Sequence, residues 1–297
     1  MKYYYIFFLI VFSALTTGCS STKTLVSQSQ EADLLYYQKD YLTAFDVYSK
    51  VIEGYLSKSL PVPGEVFASA GKCLYYSGTP SSAMEYFRQA EEAGVDDEQI
   101  LVIRMKYYAE VDNMSKEIDC LEKYSALYST GSEIGYVNLR LFLRYVEMKE
   151  YRKAYLRFKA MTSETQDQIQ YIEKFYNVCE KLGKQEEANE VARELYNRNP
   201  NNLIGLNYMA YSTYTSTENE YVAAVKAYEA KKTNANYKIM VNKTKPLVER
   251  YRKAKKYFVQ LYNLYKRPAD AAVLARICSR LNEKQNAAYY EKLSKKK

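Results

Sequence analysis

The feature that most limits what this chain can fold into is a small residue that returns in phase along it. Ala44, Ala83, Ala154, Ala188 and Ala224 stand in one register, with Glu117 in the same place between the second and third, at spacings of 39, 34, 37, 34 and 36 residues. Around each, apolar residues recur three and four apart, as the buried stripe of a helix requires. The clearest stretch runs Phe67, Ala70, Gly71, Leu74, Gly78, Pro80, Ala83, Phe87 and Ala90. It reads as two amphipathic helices joined by a tight turn, with Thr79 as N-cap and Pro80 at the first helical position. Small residues are needed where two helices cross at close range, and large ones fill the gaps between neighbouring hairpins.

This pattern resembles the tetratricopeptide repeat, whose period is 34 residues. Tyr41, Ala44, Tyr48 and Val51 give the second half of a first repeat. Leu101, Met105, Tyr108, Met114, Ile118 and Leu121 give a third. Leu141, Tyr145, Tyr151, Ala154, Phe158 and Met161 give a fourth. Ile172, Tyr176, Cys179, Gly183, Ala188, Ala192, Leu195 and Pro200 give a fifth, and Leu206, Ala210, Tyr221, Ala224 and Tyr228 a sixth. The expected fold class is therefore all-α, an α-α superhelix or solenoid of about six to seven hairpins, with repeats over residues 31–232. Residues 233–297 are expected as a basic helical hairpin with a capping helix, because a solenoid must cover its last apolar face. Within it, Thr244 to Lys266 reads as one long helix with the stripe Leu247, Tyr251, Ala254, Phe258, Leu261 and Tyr265. Shorter helices are expected at 269–281 and 284–294.

The first residues read as an address. Residues 1–18 combine one positive charge, a short apolar run from Tyr3 to Ala14 and a small-residue zone before Cys19. The run is shorter than the roughly 20 apolar residues of a spanning helix. Leu15-Thr16-Thr17-Gly18-Cys19 resembles the lipobox of bacterial lipoproteins, with the aliphatic Leu15 four places before the Cys and Thr16 in its usual place. The resemblance implies lipidation at Cys19; an ordinary secretory peptide with a chance Cys is the alternative. With no acidic residue just after Cys19, the expected location is the outer membrane of a Gram-negative bacterium, facing the periplasm. Residues 19–30 read as a polar tether.

Composition excludes much chemistry. There is no His and no Trp among 297 residues. That removes Ser-His-Asp and Cys-His nucleophiles and His-based metal sites. Cys73, Cys120, Cys179 and Cys278 lie singly among apolar neighbours and read as small core residues. Ser69-Ala70-Gly71-Lys72 lacks the first Gly and the closing Ser or Thr of a phosphate loop. Asp96 to Gln99 reads as a capping box. No enzyme activity, cofactor or metal is expected.

Charge is unevenly spread. Residues 201–297 hold 20 basic and 7 acidic side chains, a net of +13, against −5 for residues 1–200. Arg252, Lys253 and Lys256 are the candidate docking face on the long helix, for an acidic partner or an anionic ligand; a merely solvated face is the plain alternative. In tetratricopeptide proteins the first helix of each hairpin lines a groove for extended peptides or partner helices. That resemblance marks Lys72, Tyr75, Tyr76, Lys106, Asn177, Glu180, Asn207, Tyr211 and Tyr214. An Asn amide can both donate to and accept from a peptide backbone, although the full basic set of a carboxylate clamp is not matched. The leading expectation is a non-enzymatic scaffold for a protein or peptide partner, in a setting such as outer-membrane assembly or secretion. The alternative is a module that binds lipopolysaccharide, phospholipid or acidic glycan through its basic end. Nucleic acid is not expected, because the chain reads as exported.

Overall fold

The turns carry the repeat more faithfully than the helices do. In the computed structural model, which describes residues 22–295, six positions in hairpin turns have left-handed backbone: Lys39, Gly78, Asp112, Lys149, Gly183 and Asn282. Each immediately precedes a helix N-cap. In each, the cap residue donates its N–H to the carbonyl five residues back: Asp40 to Leu35, Thr79 to Leu74, Asn113 to Tyr108, Glu150 to Tyr145, Lys184 to Cys179 and Glu283 to Cys278. This is the Schellman closure, which satisfies the last carbonyls of one helix while the chain reverses into the next. Five residues past the first five of these turns stand Ala44, Ala83, Glu117, Ala154 and Ala188, all fully buried.

The chain forms two units that divide between Arg144 and Tyr145. The first contains α1 (residues 22–37), α2 (Tyr41–Ser57), α3 (Gly64–Tyr76), α4 (Pro80–Glu92), α5 (Glu98–Glu110), α6 (Met114–Leu127) and most of α7 (Ile134–Glu147). One core joins Leu25, Ala32, Ala44, Tyr48, Val51 and Ala70; the next joins Ala68, Leu74, Ala83, Phe87, Ile100 and Ile103. Gly71 is required at the α3–α4 crossing, where an added Cβ would lie 2.6 Å from the Phe87 ring.

The polar tether expected over residues 19–30 is corrected from residue 22 onward, because that stretch is the start of α1. Leu25 is buried against the α2 core, and the Tyr48 hydroxyl donates to Asp33 at 2.5 Å. Few apolar anchors in a polar helix hid the element. Cys19 and the 1–18 leader lie outside the described residues.

The second unit holds α8 (Tyr151–Lys159), α9 (Ser163–Gln166), α10 (Ile169–Lys181), α11 (Gln185–Arg198), α12 (Leu203–Ala230), α13 (Asn234–Thr244), α14 (Leu247–Tyr265), α15 (Pro268–Arg280) and α16 (Lys284–Ser294). Here the sixth hairpin is corrected: its two expected helices are the single 28-residue α12. A turn five residues before Ala224, as in the other hairpins, would fall at Asn219, in a stretch with neither Gly nor Pro. Ser212, Thr213 and Thr217 turn their hydroxyls back onto the carbonyls of Tyr208, Met209 and Thr213, which lets short polar residues ride inside the helix. α12 packs against α11 and α14, and Leu206, Ala210, Tyr251, Ala254, Phe258, Leu261 and Leu274 form one core. That shared core is why no unit boundary falls at residue 232. The long expected helix starts three residues late, after Pro246, and the two short ones stand within a residue of their expected bounds.

Candidate binding surfaces

In the first unit, tyrosines from successive hairpins meet. Tyr76 of α3 stacks on Tyr41 at 5.2 Å between ring centroids and lies 6.4 Å from Tyr36. Tyr36 also meets Tyr41 and Tyr37 edge-on, and Tyr75 meets Tyr76 at 5.3 Å. Gln99 at the start of α5 donates to the Tyr76 hydroxyl at 2.7 Å. Tyr37 is 79% exposed and Tyr76 41%. Burial, reinforced by Tyr76 and Tyr41, pushes the Tyr36 hydroxyl up to about 12. It stays a neutral donor throughout the physiological range. Of the sequence candidates, Lys72, Tyr75 and Tyr76 therefore gather here. Tyr36, Tyr37 and Tyr41 went unmarked, because the groove face was carried only onto the clearest repeats, which lie further along the chain.

Lys72 is not a free cation. It pairs with Asp97 at 2.6 Å, and Asp97 also caps α5 by accepting from the Ile100 N–H at 3.0 Å. The cap therefore lies one residue beyond the expected Asp96, and Gln99 serves Tyr76 rather than a capping box. Beside this pair is an open groove of about 620 Å³ lined by Asp97, Gln99, Val102 and Glu133. Lys106 reaches Glu133 at 3.2 Å and stands over the Tyr136 ring.

In the second unit, the candidates on α12 are tied inward. Arg267 donates to Asn207 at 2.6 Å and to Asp270 at 2.7 and 2.8 Å, and Tyr211 donates to Asp270 at 3.2 Å. Asp270 is fully buried. Tyr214 packs edge-on to Phe258, with Arg276 over its ring. Asn207 and Tyr211 thus hold the start of α15 onto α12, and the Asn207 carbonyl is already engaged. Asn177 and Glu180 are exposed on α10, and Gln185 donates to Glu180.

Arg252, Lys253 and Lys256 all face solvent on α14. Arg252 pairs with Glu249 on its own helix, and Lys255 is drawn to Glu283. A groove of about 670 Å³ runs beside them, lined by Arg252, Lys256, Val259, Asn263, Leu264 and Asn201. All seven carboxylates of residues 201–297 are committed: Glu218 to Arg280, Glu220 to Arg250, Glu229 to Lys232, Glu249 to Arg252, Asp270 to Arg267, Glu283 to Lys255 and Glu291 to Lys295. The surplus positive charge of this region is therefore uncompensated from within it.

Among the described residues, Cys73, Cys120, Cys179 and Cys278 are buried and free, as their apolar neighbours implied. Burial pushes the Cys73 thiol up to about 12 and those of Cys120, Cys179 and Cys278 up to about 11. A thiol so protonated is a poor nucleophile.

Paired helices, Schellman turns and small residues at the crossings define an all-α, tetratricopeptide-type architecture. No protein-family model and no curated protein matches the sequence. Among solved structures, one from Bacteroides ovatus ATCC 8483, named as a candidate protein-binding protein, is 17% identical with a TM-score of 0.47, covering 74% of this chain and 98% of its own. YrrB, a tetratricopeptide protein with an unusual peptide-binding site, is 15% identical with a TM-score of 0.42, covering 61% and 89%. A tetratricopeptide repeat protein from Parabacteroides merdae ATCC 43184 is 14% identical with a TM-score of 0.38, covering 93% and 100%. These scores are low, and the architecture rests on the turns and crossings described above.

Proposed function

We propose that this chain is a non-enzymatic scaffold that holds a protein or peptide partner on the tyrosine-lined face of its first hairpins. In this reading Cys19 carries acyl chains that anchor it in the outer membrane, with its body in the periplasm. Outer-membrane assembly or secretion is the setting such an anchored scaffold would serve. The observation that carries the binding role is the cluster of Tyr36, Tyr37, Tyr41, Tyr75 and Tyr76. Tyrosine offers contact area and a hydroxyl while losing little side-chain freedom. Mutual ring contacts already fix most of these side chains, so less ordering is left to occur on binding. The Lys72–Asp97 pair and the Gln99 amide at the edge of the cluster supply polar selectivity.

The test is crosslinking capture from native membranes, comparing the unaltered chain with the Tyr41→Ala/Tyr76→Ala double variant. Loss of the captured protein, with the helical circular dichroism retained, supports the assignment. Equal capture of the same protein by the double variant removes this face as the site.

A further inference from the structure

Residues 231–245, which comprise α13 and its flanks, contain five lysines and no carboxylate. Lys232 pairs with Glu229. The other four, Lys231, Lys238, Lys243 and Lys245, form no ion pair among the described residues, and every carboxylate of residues 201–297 has a cation of its own. No side chain of α13 is buried, yet Tyr237 and Ile239 are each 52% exposed and Val241 37%. Helical spacing puts Tyr237 and Val241 in one row, while Ile239 stands on another side between Lys238 and Lys243. Local bonds hold the helix in place. Thr233 caps it, Asn236 donates to the Lys231 carbonyl, and Tyr237 meets Tyr228 of α12 edge-on. An 11-residue helix with nothing buried is a poor helix by itself, and its exposed aliphatic groups are unfavourably hydrated.

We infer that α13 and its lysine flanks dock on the surface of an anionic phospholipid bilayer. Lysine stems lie along apolar surface while their ammonium groups stay at phosphate level. Ile239, flanked by Lys238 and Lys243, enters the headgroup boundary, the position taken by interfacial helices, while Tyr237 stays against Tyr228 of α12 on the other side of the helix. A peptide ligand would instead need concavity. Grooves of this unit run along α14, between α12, α15 and α16, and beside α10 and α11, and none of these three is lined by residues 231–245. The contact does not depend on the tyrosine-lined face or on an acyl chain at Cys19.

The chain has no Trp, so Ile239→Trp in the full chain places a single fluorescent reporter on the docking helix at an exposed position. Phosphatidylcholine vesicles are compared with and without phosphatidylglycerol. On anionic vesicles the emission should shift to the blue and be quenched by brominated lipid, and the shift should reverse in about 0.5 M salt. Changing Lys231, Lys238, Lys243 and Lys245 to Glu in the reporter chain should lower partitioning at least about a hundredfold, since each lysine near such a surface counts separately. Unchanged emission with anionic vesicles overturns the inference, even if the chain sediments with them through another part. An equal blue shift with soluble polyglutamate and no vesicles also overturns it, in favour of an acidic polypeptide. Capture through Tyr41 and Tyr76 is a separate readout, so either reading can fail alone.

Discussion

Glu117 occupies the place that alanine fills in the other early repeats, and it is fully buried. Its carboxylate accepts from Arg140 at 2.7 Å and from Arg144 at 2.8 Å, both on α7. A charged cluster of three thus stands where the register calls for a small contact. The position was legible in the sequence, but its partners were not, because they lie 23 and 27 residues away. Glu117→Gln should cost about 3 kcal/mol, since it takes the anionic partner from two guanidinium groups, one of them nearly buried; urea denaturation of the variant checks this. Glu218 gives a pH dependence. Burial alone would raise its carboxyl, but hydrogen bonds from Arg280 and Tyr251 outweigh it and hold the group below its ordinary value. The folded state then binds this proton less readily than the unfolded chain does. The contribution is present above the ordinary carboxylate range and is lost as pH falls through the lowered folded value. Glu218→Gln should flatten that part of the acid-side stability profile, measured by thermal melts from pH 6 downward.

At the scale of elements, the hairpins announced themselves through their small residues, whereas four of the six left-handed turn positions did not. Only Gly78 and Gly183 carry the residue such backbone favours; Lys39, Asp112, Lys149 and Asn282 adopt it with a side chain. A non-glycine residue there costs on the order of 1 kcal/mol. Lys39→Gly and Lys149→Gly, both at exposed positions, should therefore each stabilise the fold by about 0.5 kcal/mol, after the entropy lost on folding a glycine. A higher denaturation midpoint at unchanged slope is the expected reading. The opposite case is α12. Periodicity alone could not distinguish a hairpin from a continuous helix over 203–230, because both bury residues three and four apart. Asn219→Gly separates them. At a left-handed turn position glycine would be favoured, but inside α12 it should cost about 0.5–1 kcal/mol.

For the whole chain, the all-helical class and the basic end were readable from pattern and composition. The tyrosine cluster was not, because its rings come from three separate helices and meet only once those helices are packed. Reversing Arg252, Lys253 and Lys256 to Glu should leave the melt almost unchanged, since exposed charges contribute about 0–1 kcal/mol each. If α14 steers an acidic partner, association measured by surface capture should slow and lose much of its salt dependence. Cys19→Ala should move the protein from the membrane fraction to the soluble periplasm; retention in the membrane would place the anchor elsewhere.

The buried cysteines have a consequence of their own. Cys73 and Cys120 sit in the first unit, and Cys179 and Cys278 in the second, each on a different helix. Shielded and held protonated, each thiol should resist alkylation until its own surroundings open. Four natural stopwatches are thus built into the chain, two for each unit. Timed labelling read by peptide mass spectrometry should give each helix its own opening rate. The same experiment on Glu117→Gln should quicken Cys120, three residues from the altered carboxylate, more than Cys278.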